Sequence, residues 1–569
     1  MASRIIRCII LLLLFTQCKN ALPPGDPNNG GLLLPDGFEA VVVVDSLPGQ
    51  ARHLAVNDNG DVYVKLMHPV KGAGNAALRD ANHDGKADII QFFGKYDDWA
   101  YGTAMRIHNG YLYFSSETVV YRCKLRPRRL LPEEKLEVIL TDDHPHGRHE
   151  HIAKPLAFDD KGNMYVPFGA PSDACQEMNR IPGSPGQNPC PLLVDHGGVW
   201  QFDADKNGQT QKDGKRFATG LRSVVAMTWN QDDKTLYVVQ HGRDDLFRTW
   251  PAIFSPWQSA LLPAEEFLKL KEGSDCGWPY YYFDELQHKK LLNAEYGGDG
   301  KKEGNGKMYE QPLIGFPAHW APNDLVFYTG NQFPDHYKHG AFIAFHGSTN
   351  RAPYPQSGYF ICFVPFSGGK PTGSWEVFAD GFAKVDPIVD VSDAVYRPMG
   401  IAIGPDGSMY ISDSEKGKIW RIMFKGDKNK FGQQQLAGME KQKQNSHIRM
   451  PDEVNDNLDR NKPISAGKLY DTYCRTCHQQ NGKGDGARFP PLDSSEWVMR
   501  DKKLLISVVL KGTQGPINVK GQEYNGTMPP HSFLSDSALA IILTYVRQNF
   551  HNAADSVSAD EVRRARKSK

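Results

Sequence analysis

The chain has no net charge: 66 Lys and Arg side chains balance 66 Asp and Glu over 569 residues. That balance removes any whole-molecule attraction to nucleic acid or to an acidic substrate. Beyond residue 20 the chain also lacks an apolar run long enough to span a bilayer, which excludes a polytopic membrane protein. No succession of long amphipathic helices interrupts residues 35–425, so alternating strand–helix units are disfavoured. What is there instead is 54 Gly, 38 Pro and 40% hydrophobic residues, the profile of an ordered, loop-rich globular protein with enough apolar material for a sizeable core.

Residues 1–18 read MASRIIRCIILLLLFTQC, in which Arg4 and Arg7 precede an apolar run from Ile9 to Phe15. A basic stretch followed by a short apolar one reads as an export signal, and it is set apart from the fold. Cys18 resembles the lipidated cysteine of bacterial lipoproteins, although Gln17 departs from the small residue usual before it. The expectation is a periplasmic protein or an outer-membrane-anchored lipoprotein, with cleavage to a soluble form as the alternative. Export implies an oxidising compartment. Of the nine cysteines, Cys175 and Cys190 bracket a Pro/Gly-rich loop and are the preferred disulfide, against two buried thiols.

One pattern recurs: HLAVNDNGDVYV (53–64), MRIHNGYLYFSS (105–116), LAFDDKGNMYVPFG (156–169), MTWNQDDKTLYVVQHG (227–242) and IAIGPDGSMYISD (401–413). Each is a short apolar strand, a tight polar turn and a second strand alternating β-branched and aromatic residues. DLVFYTG (324–330) and AFIAFHG (341–347) make a sixth pair with a longer connection. Six such pairs predict an all-β six-bladed propeller over 35–425, against a two-sheet sandwich. The polar Gln/Lys/Asn-rich stretch 426–462 reads as a flexible linker, and residues 552–569, ending RRARKSK, as a solvated basic tail.

Cys474-Arg475-Thr476-Cys477-His478 is C-x-x-C-H, the spacing at which two thiols bond the haem vinyl groups and the adjacent imidazole reaches the iron. Met528, in the Pro-fixed loop NGTMPP, offers a thioether as sixth ligand, with His531 as competitor. Zinc would need a second Cys/His pair nearby, and a thioredoxin-like dithiol would not require His478 or Met528. Residues 463–551 resemble a class I cytochrome c domain, so the predicted architecture is a propeller followed by a small all-α cytochrome c domain. That resemblance implies haem c bonded to Cys474 and Cys477 and ligated by His478 and Met528.

The stretches GRHEHIAKPLAFDDKGNMYV, GLRSVVAMTWNQDDKTLYVVQHGRDDL, FPAHWAPNDLVFYTG, AFIAFHGSTNR and YRPMGIAIGPDGSMYISD resemble the glucose/sorbosone dehydrogenase family. The family's propellers hold pyrroloquinoline quinone (PQQ) and calcium. The resemblance implies that His151 is the general base, that Arg222 faces the quinone oxygen, and that Arg397, His346 and Arg351 contact PQQ. Gly242, Arg243 and Asp244 fall in the loop that supplies calcium ligands. Three PQQ carboxylates need fixed cations, which suits arginine. Ser223 stands where asparagine is common and Thr349 where tryptophan is usual, so the sugar stays open. For His151 the other reading is a hydrogen-bonded loop histidine among His146 and His149; for Arg222 and Arg397 it is a salt bridge tying blades together.

A second calcium candidate is Asp80, Asn82, Asp84 and Asp88 around Gly85, the oxygen spacing of an EF-hand loop, although Gln91 replaces its last glutamate. Asp203, Asp205 and Asn207 form a weaker copy. The functional expectation is oxidation of an aldose or sorbosone-like sugar, with electrons passing through the haem to an external cytochrome or membrane respiratory chain. The alternatives are a glycan- or protein-binding propeller and a calcium-dependent lactonase-like hydrolase; hydrolysis has no use for an electron carrier.

Overall fold

The computed structural model describes residues 22–96, 102–144, 151–352, 354–451, 466–486, 488–532 and 534–567. The export signal and Cys18 lie outside them. Each recurrent hairpin is the inner strand pair of one blade. The pairs are Ala51–Val56 with Val62–Val70, Met105–His108 with Tyr111–Ser115, Ala157–Phe158 with Asn163–Phe168, Val224–Asn230 with Thr235–Gln240, Pro322–Phe327 with Ala341–Phe345, and Pro398–Ile403 with Met409–Asp413. Tight turns set these registers: Gly60 sits at φ 89°, a left-handed conformation that a side chain resists. Outer strands complete six sheets of four or five strands.

The ring closes through the N-terminal strand. Phe38–Val44 pairs antiparallel with Ile419–Phe424 and is the outermost strand of the last blade, with Phe38 opposite Phe424. Phe38 anchors this seam, its ring meeting Phe333 and Phe424 at 4.9 Å and Phe378 at 5.2 Å, edge to face. Burying one such ring contributes about 1.5–3 kcal/mol.

Two segments differ from their sequence reading. Residues 427–451 are not a free linker but a strap packed on the propeller. Within it Gln433–Glu440 is a helix that buries Leu436 and Met439, and Ile448 is buried beyond it. Three apolar positions spread through a polar stretch were too few to show as periodicity. The strap's end is pinned by His447, whose Nε2 lies 3.0 Å from Asp380 Oδ1 and whose Nδ1 lies 3.6 Å from Asp386 Oδ1. Residues 452–465 lie outside the described ones.

The second difference is the basic tail, which folds onto the C-terminal domain. Its helix Ala559–Lys567 buries Val562, and Arg566 donates to the Leu534 carbonyl at 2.7 Å. That domain is otherwise helical, built on Ala466–Tyr473, Lys502–Lys511 and Asp536–Gln548, but it also holds a small hairpin, Ile517–Val519 with Gln522–Tyr524. Among the described residues no helix is long and apolar enough to cross a membrane.

His447 yields a pH prediction. Burial opposes its protonation, but Asp380 and Asp386 outweigh burial and raise it to about 9. Stability from this contact is therefore full below the ordinary 6.5 and lost as pH rises through about 9. The calorimetric melting midpoint is expected to fall across that window in the parent and to change little there in His447→Gln. An equal fall in both would remove His447 as the titrating group.

Candidate active site and haem pocket

His151 sits on the segment entering blade three in a left-handed conformation, φ 62°. Such backbone in a non-glycine residue is uncommon and clusters at functional sites. Gly169 makes room for it, since a Cβ there would lie 2.1 Å from the His151 carbonyl oxygen. The ring is oriented by one bond, Nδ1 to the Ala170 carbonyl at 2.6 Å. A carbonyl only accepts, so Nδ1 carries the hydrogen and Nε2 keeps its lone pair. Burial and the neighbouring Arg222 cation hold the imidazole well below its ordinary range, hence neutral.

Ala170 ties base and cation together, because its own amide donates to the Arg222 carbonyl at 2.9 Å. The buried Arg222 guanidinium reaches Asp173 Oδ1 at 2.6 Å, the Gly242 carbonyl at 2.6 Å and Asp244 Oδ2 at 3.1 Å. Its Nε is a buried donor with no hydrogen-bond partner. The salt-bridge reading of Arg222 is thus also present, and it serves to fix the cation beside His151.

Asp244 gathers further groups that sequence reasoning missed. Arg180 lies 3.2 Å from Oδ2, Asn350 Nδ2 donates to Oδ1 at 2.7 Å, and His319 Nδ1 is 3.7 Å away. Burial works to raise this carboxyl, but Arg222, His319 and Arg180 together hold it well below the usual carboxylate range. Beneath it Glu265 accepts from the Gly242 amide at 3.0 Å and is pushed up to about 8 by burial. Asp173 and Arg180 carry no motif, and only their loop, closed by the Cys175–Cys190 disulfide, was legible beforehand.

The remaining expected PQQ contacts split. Arg397 Nη2 donates to His346 Nδ1 at 2.9 Å and to the Gly347 carbonyl at 2.6 Å, so Arg397 and His346 form one unit. Arg351 turns away: buried, it donates to the carbonyls of Ser446 at 3.3 Å and Arg449 at 2.8 Å, holding the strap. Its expected role at PQQ is corrected accordingly, because two strap carbonyls capture the guanidinium. For calcium, the Gly242 carbonyl and the Asp244 carboxylate are the right hard oxygens, and both face Arg222. The Arg243 side chain is committed to Glu295 at 2.6 Å.

On the outer loop Asp80, Asn82, Asp84 and Asp88 do converge: Asp80 Oδ2 accepts from the Gly85 amide at 2.8 Å and Asp88 Oδ2 from the Ala81 amide at 2.7 Å. The weaker copy is a structural turn, with Asp205 paired to Arg122 at 2.6 Å.

In the C-terminal domain Cys474, Cys477, His478, Met528 and His531 all line one cavity of about 450 Å³, walled by apolar side chains such as Leu505, Ile542 and Val546. His478 Nδ1 donates to the Pro490 carbonyl at 2.9 Å, which leaves Nε2 free to ligate a metal. The Met528 backbone is fixed by paired bonds with Thr513, both 3.0 Å. His531, three residues beyond Met528, lines the same cavity, so the sixth position has two candidate donors, with the Met528 thioether on the backbone-fixed loop. Two thiols, an oriented imidazole and a thioether around an apolar slot fit haem c.

Two family models match the propeller, glucose/sorbosone dehydrogenase over residues 98–348 and TrAA12-like over 289–425, and a cytochrome c model matches 465–550. Cytochrome c-552 of Thermus thermophilus is 36% identical over 111 residues, covering 18% of this chain and 84% of that protein. This chain joins a glucose/sorbosone dehydrogenase domain to a cytochrome c domain. An uncharacterized protein of Borreliella burgdorferi is 29% identical over 209 residues, covering 36% of this chain and 48% of that protein, so the chain spans about half its length. Among solved structures, the carbohydrate-active family AA12 protein of Trichoderma reesei gives a TM-score of 0.56 at 17% identity, covering 69% of this chain and 98% of that one. The PQQ domain of pyranose dehydrogenase from Coprinopsis cinerea gives 0.55 at 17% identity, covering 69% and 97%. At that identity these two establish the fold of the dehydrogenase domain. The cytochrome c domain carries haem c.

The two domains meet at the haem pocket. Thr349, Ala352, Tyr354, Gln356, Val389 and Asp390 of the dehydrogenase domain line the same cavity as the two haem cysteines. Arg488 of the cytochrome c domain crosses to Asp393 at 2.5 Å and Ser392 Oγ at 3.2 Å. Asn350, which bonds Asp244, is the immediate neighbour of Thr349 in this wall.

Proposed function

We propose that the chain oxidises a sugar at the mouth of its propeller, with PQQ as first electron acceptor, and passes the electrons through its own haem to an external carrier. The observation that carries this reading is the shared loop: Asn350 touches the His151–Arg222–Asp244 cluster while Thr349 walls the haem cavity. Electron transfer between groups bridged by two consecutive residues needs no large domain motion. The pyranose dehydrogenase neighbour, named for its PQQ domain, supports the same chemistry.

PQQ, where bound, supplies a quinone that takes two electrons from the sugar carbon. The protein's own part is acid–base and electrostatic. His151 receives the substrate hydroxyl proton at Nε2 while Ala170 keeps its ring in position. Arg222 presents fixed positive charge where negative charge grows, and its orphaned Nε is a donor awaiting an acceptor. Arg397 and His346 offer a second polar pair. Calcium, where bound, would take the Gly242 carbonyl and the Asp244 carboxylate in competition with Arg222. We further propose that the protein works after export, periplasmic or held to the outer membrane through Cys18, and delivers electrons to a cytochrome or a membrane respiratory chain.

The test is to load the purified full chain with PQQ and calcium, add a panel of aldoses and sorbosone-like sugars, and follow the reduced-haem band. Haem reduction that requires both PQQ and sugar is expected. Sugar binding with no reduction would make the propeller a binding module, and lactone opening with no reduction would make it a hydrolase.

A further inference from the structure

Where blade two hands over to blade three, two imidazoles and a carboxylate that neither site above uses converge next to Phe168, two residues from the Ala170 that orients His151. His144 follows the outer strand Glu137–Thr141, while Asp195 and His196 follow the short turn Pro191–Val194 that leads into Gly198–Asp203. His144 Nδ1 lies 2.7 Å from Asp142 Oδ1 and therefore donates. Asp142 is itself held by the buried ammonium of Lys154, 2.7 Å from its other oxygen. His144 Nε2 is left facing Asp195 Oδ2, 3.5 Å away. A proton on that nitrogen or a metal ion held between the nitrogen and the carboxylate satisfies the contact, and a third ligand group favours the metal.

His196 adds the third group. Its Nδ1 is 2.6 Å from Asp195 Oδ1, and its ring centroid is 4.6 Å from that of His144. One ligand atom from each of the three residues lies within 4.8 Å of the others. Tetrahedral zinc holds its donors about 3.3 Å apart, so side-chain rotations of about 1 Å would close the set and leave a fourth position for water. The carboxylate behind His144 is the outer partner that metal-ligating histidines recurrently have.

We propose that His144, Asp195 and His196 bind one divalent transition metal of zinc character, distinct from the haem iron. Two imidazoles and one carboxylate select such ions over calcium and magnesium, which take all-oxygen shells. The site is structural. It clamps the end of the outer strand Glu137–Thr141 against the turn that follows Pro191–Val194. It stands whether or not the propeller oxidises sugars.

The test uses the full haem-loaded chain, stripped with chelator and titrated with zinc chloride at pH 7.5 by calorimetry, with zinc-edge X-ray absorption on the complex. One saturable equivalent of micromolar or tighter affinity is expected, with imidazole scattering and no displacement by an equal concentration of calcium or magnesium. His144→Ala and His196→Ala should each weaken binding at least about 100-fold, and the milder Asp142→Asn about 10–100-fold. Asp142→Asn keeps the proposal testable should either alanine variant misfold, which circular dichroism would report. No saturable equivalent, or affinity unchanged in Asp142→Asn and in the folded alanine variants, overturns it. So does melting that responds to pH at this cluster but not to zinc, which would mean that a proton fills the gap.

Discussion

Replacing His151 by asparagine is expected to slow sugar-driven haem reduction by about 10³-fold, within the 10²–10⁴ that a positioned general base contributes. Dithionite reduction and the haem spectrum should stay as in the parent, since His151 is not among the residues lining the haem cavity. The pH profile separates base catalysis from a merely structural role. Burial and Arg222 keep the imidazole unprotonated well below its ordinary 6.5, so kcat/KM should stay flat through 6.5 and fall only at more acid pH. Arg222→Gln removes the repelling cation, and the surviving activity should show its acid limb moved toward 6.5. An asparagine variant that turns over normally, or an acid limb already at 6.5 in the parent, would sink this assignment.

The second large effect is at the iron. Met528→Ala is expected to lower the haem reduction potential on the order of 10² mV, inside the roughly 0.8 V range that axial ligands command. A thioether opposite an imidazole favours the reduced iron, and its loss favours the oxidised form. Spectroelectrochemical titration reads this directly, without substrate or PQQ. If Met528→Ala leaves the potential unmoved while His531→Ala lowers it, the sixth ligand is His531. The backbone-fixed loop that presents Met528, held by its paired bonds with Thr513, argues for the first outcome.

The inner hairpins and the C-x-x-C-H motif were legible because each is local: a register set by its own turn, or two haem-bonding thiols and one iron ligand within five residues. The outer strands were not, since they carry no turn signature and are fixed only by the strands inside them. The Phe38–Val44 closure was illegible for the stronger reason that its partner lies some 380 positions away. Among the site residues, His151 and Arg222 lie together and share Ala170. Arg351 did not, because whether a cation meets a ligand or a strap depends on residues 446–449, whose own packing gave no periodic signal. Asp173 and Arg180 from one loop, His319 from a second and Asn350 from a third reach Asp244, a convergence no spacing rule encodes.

Thr349 and Asn350 have a consequence for how this chain can diversify. Asn350 bonds the Arg222–Asp244 cluster while its neighbour Thr349 lines the haem cavity, and the proposed reaction would use both. A lineage that retunes this loop for a bulkier or smaller sugar therefore alters its own wiring in the same step, and a mutation selected for faster discharge reshapes what can dock. In this chain, appetite and output are expected to have drifted together.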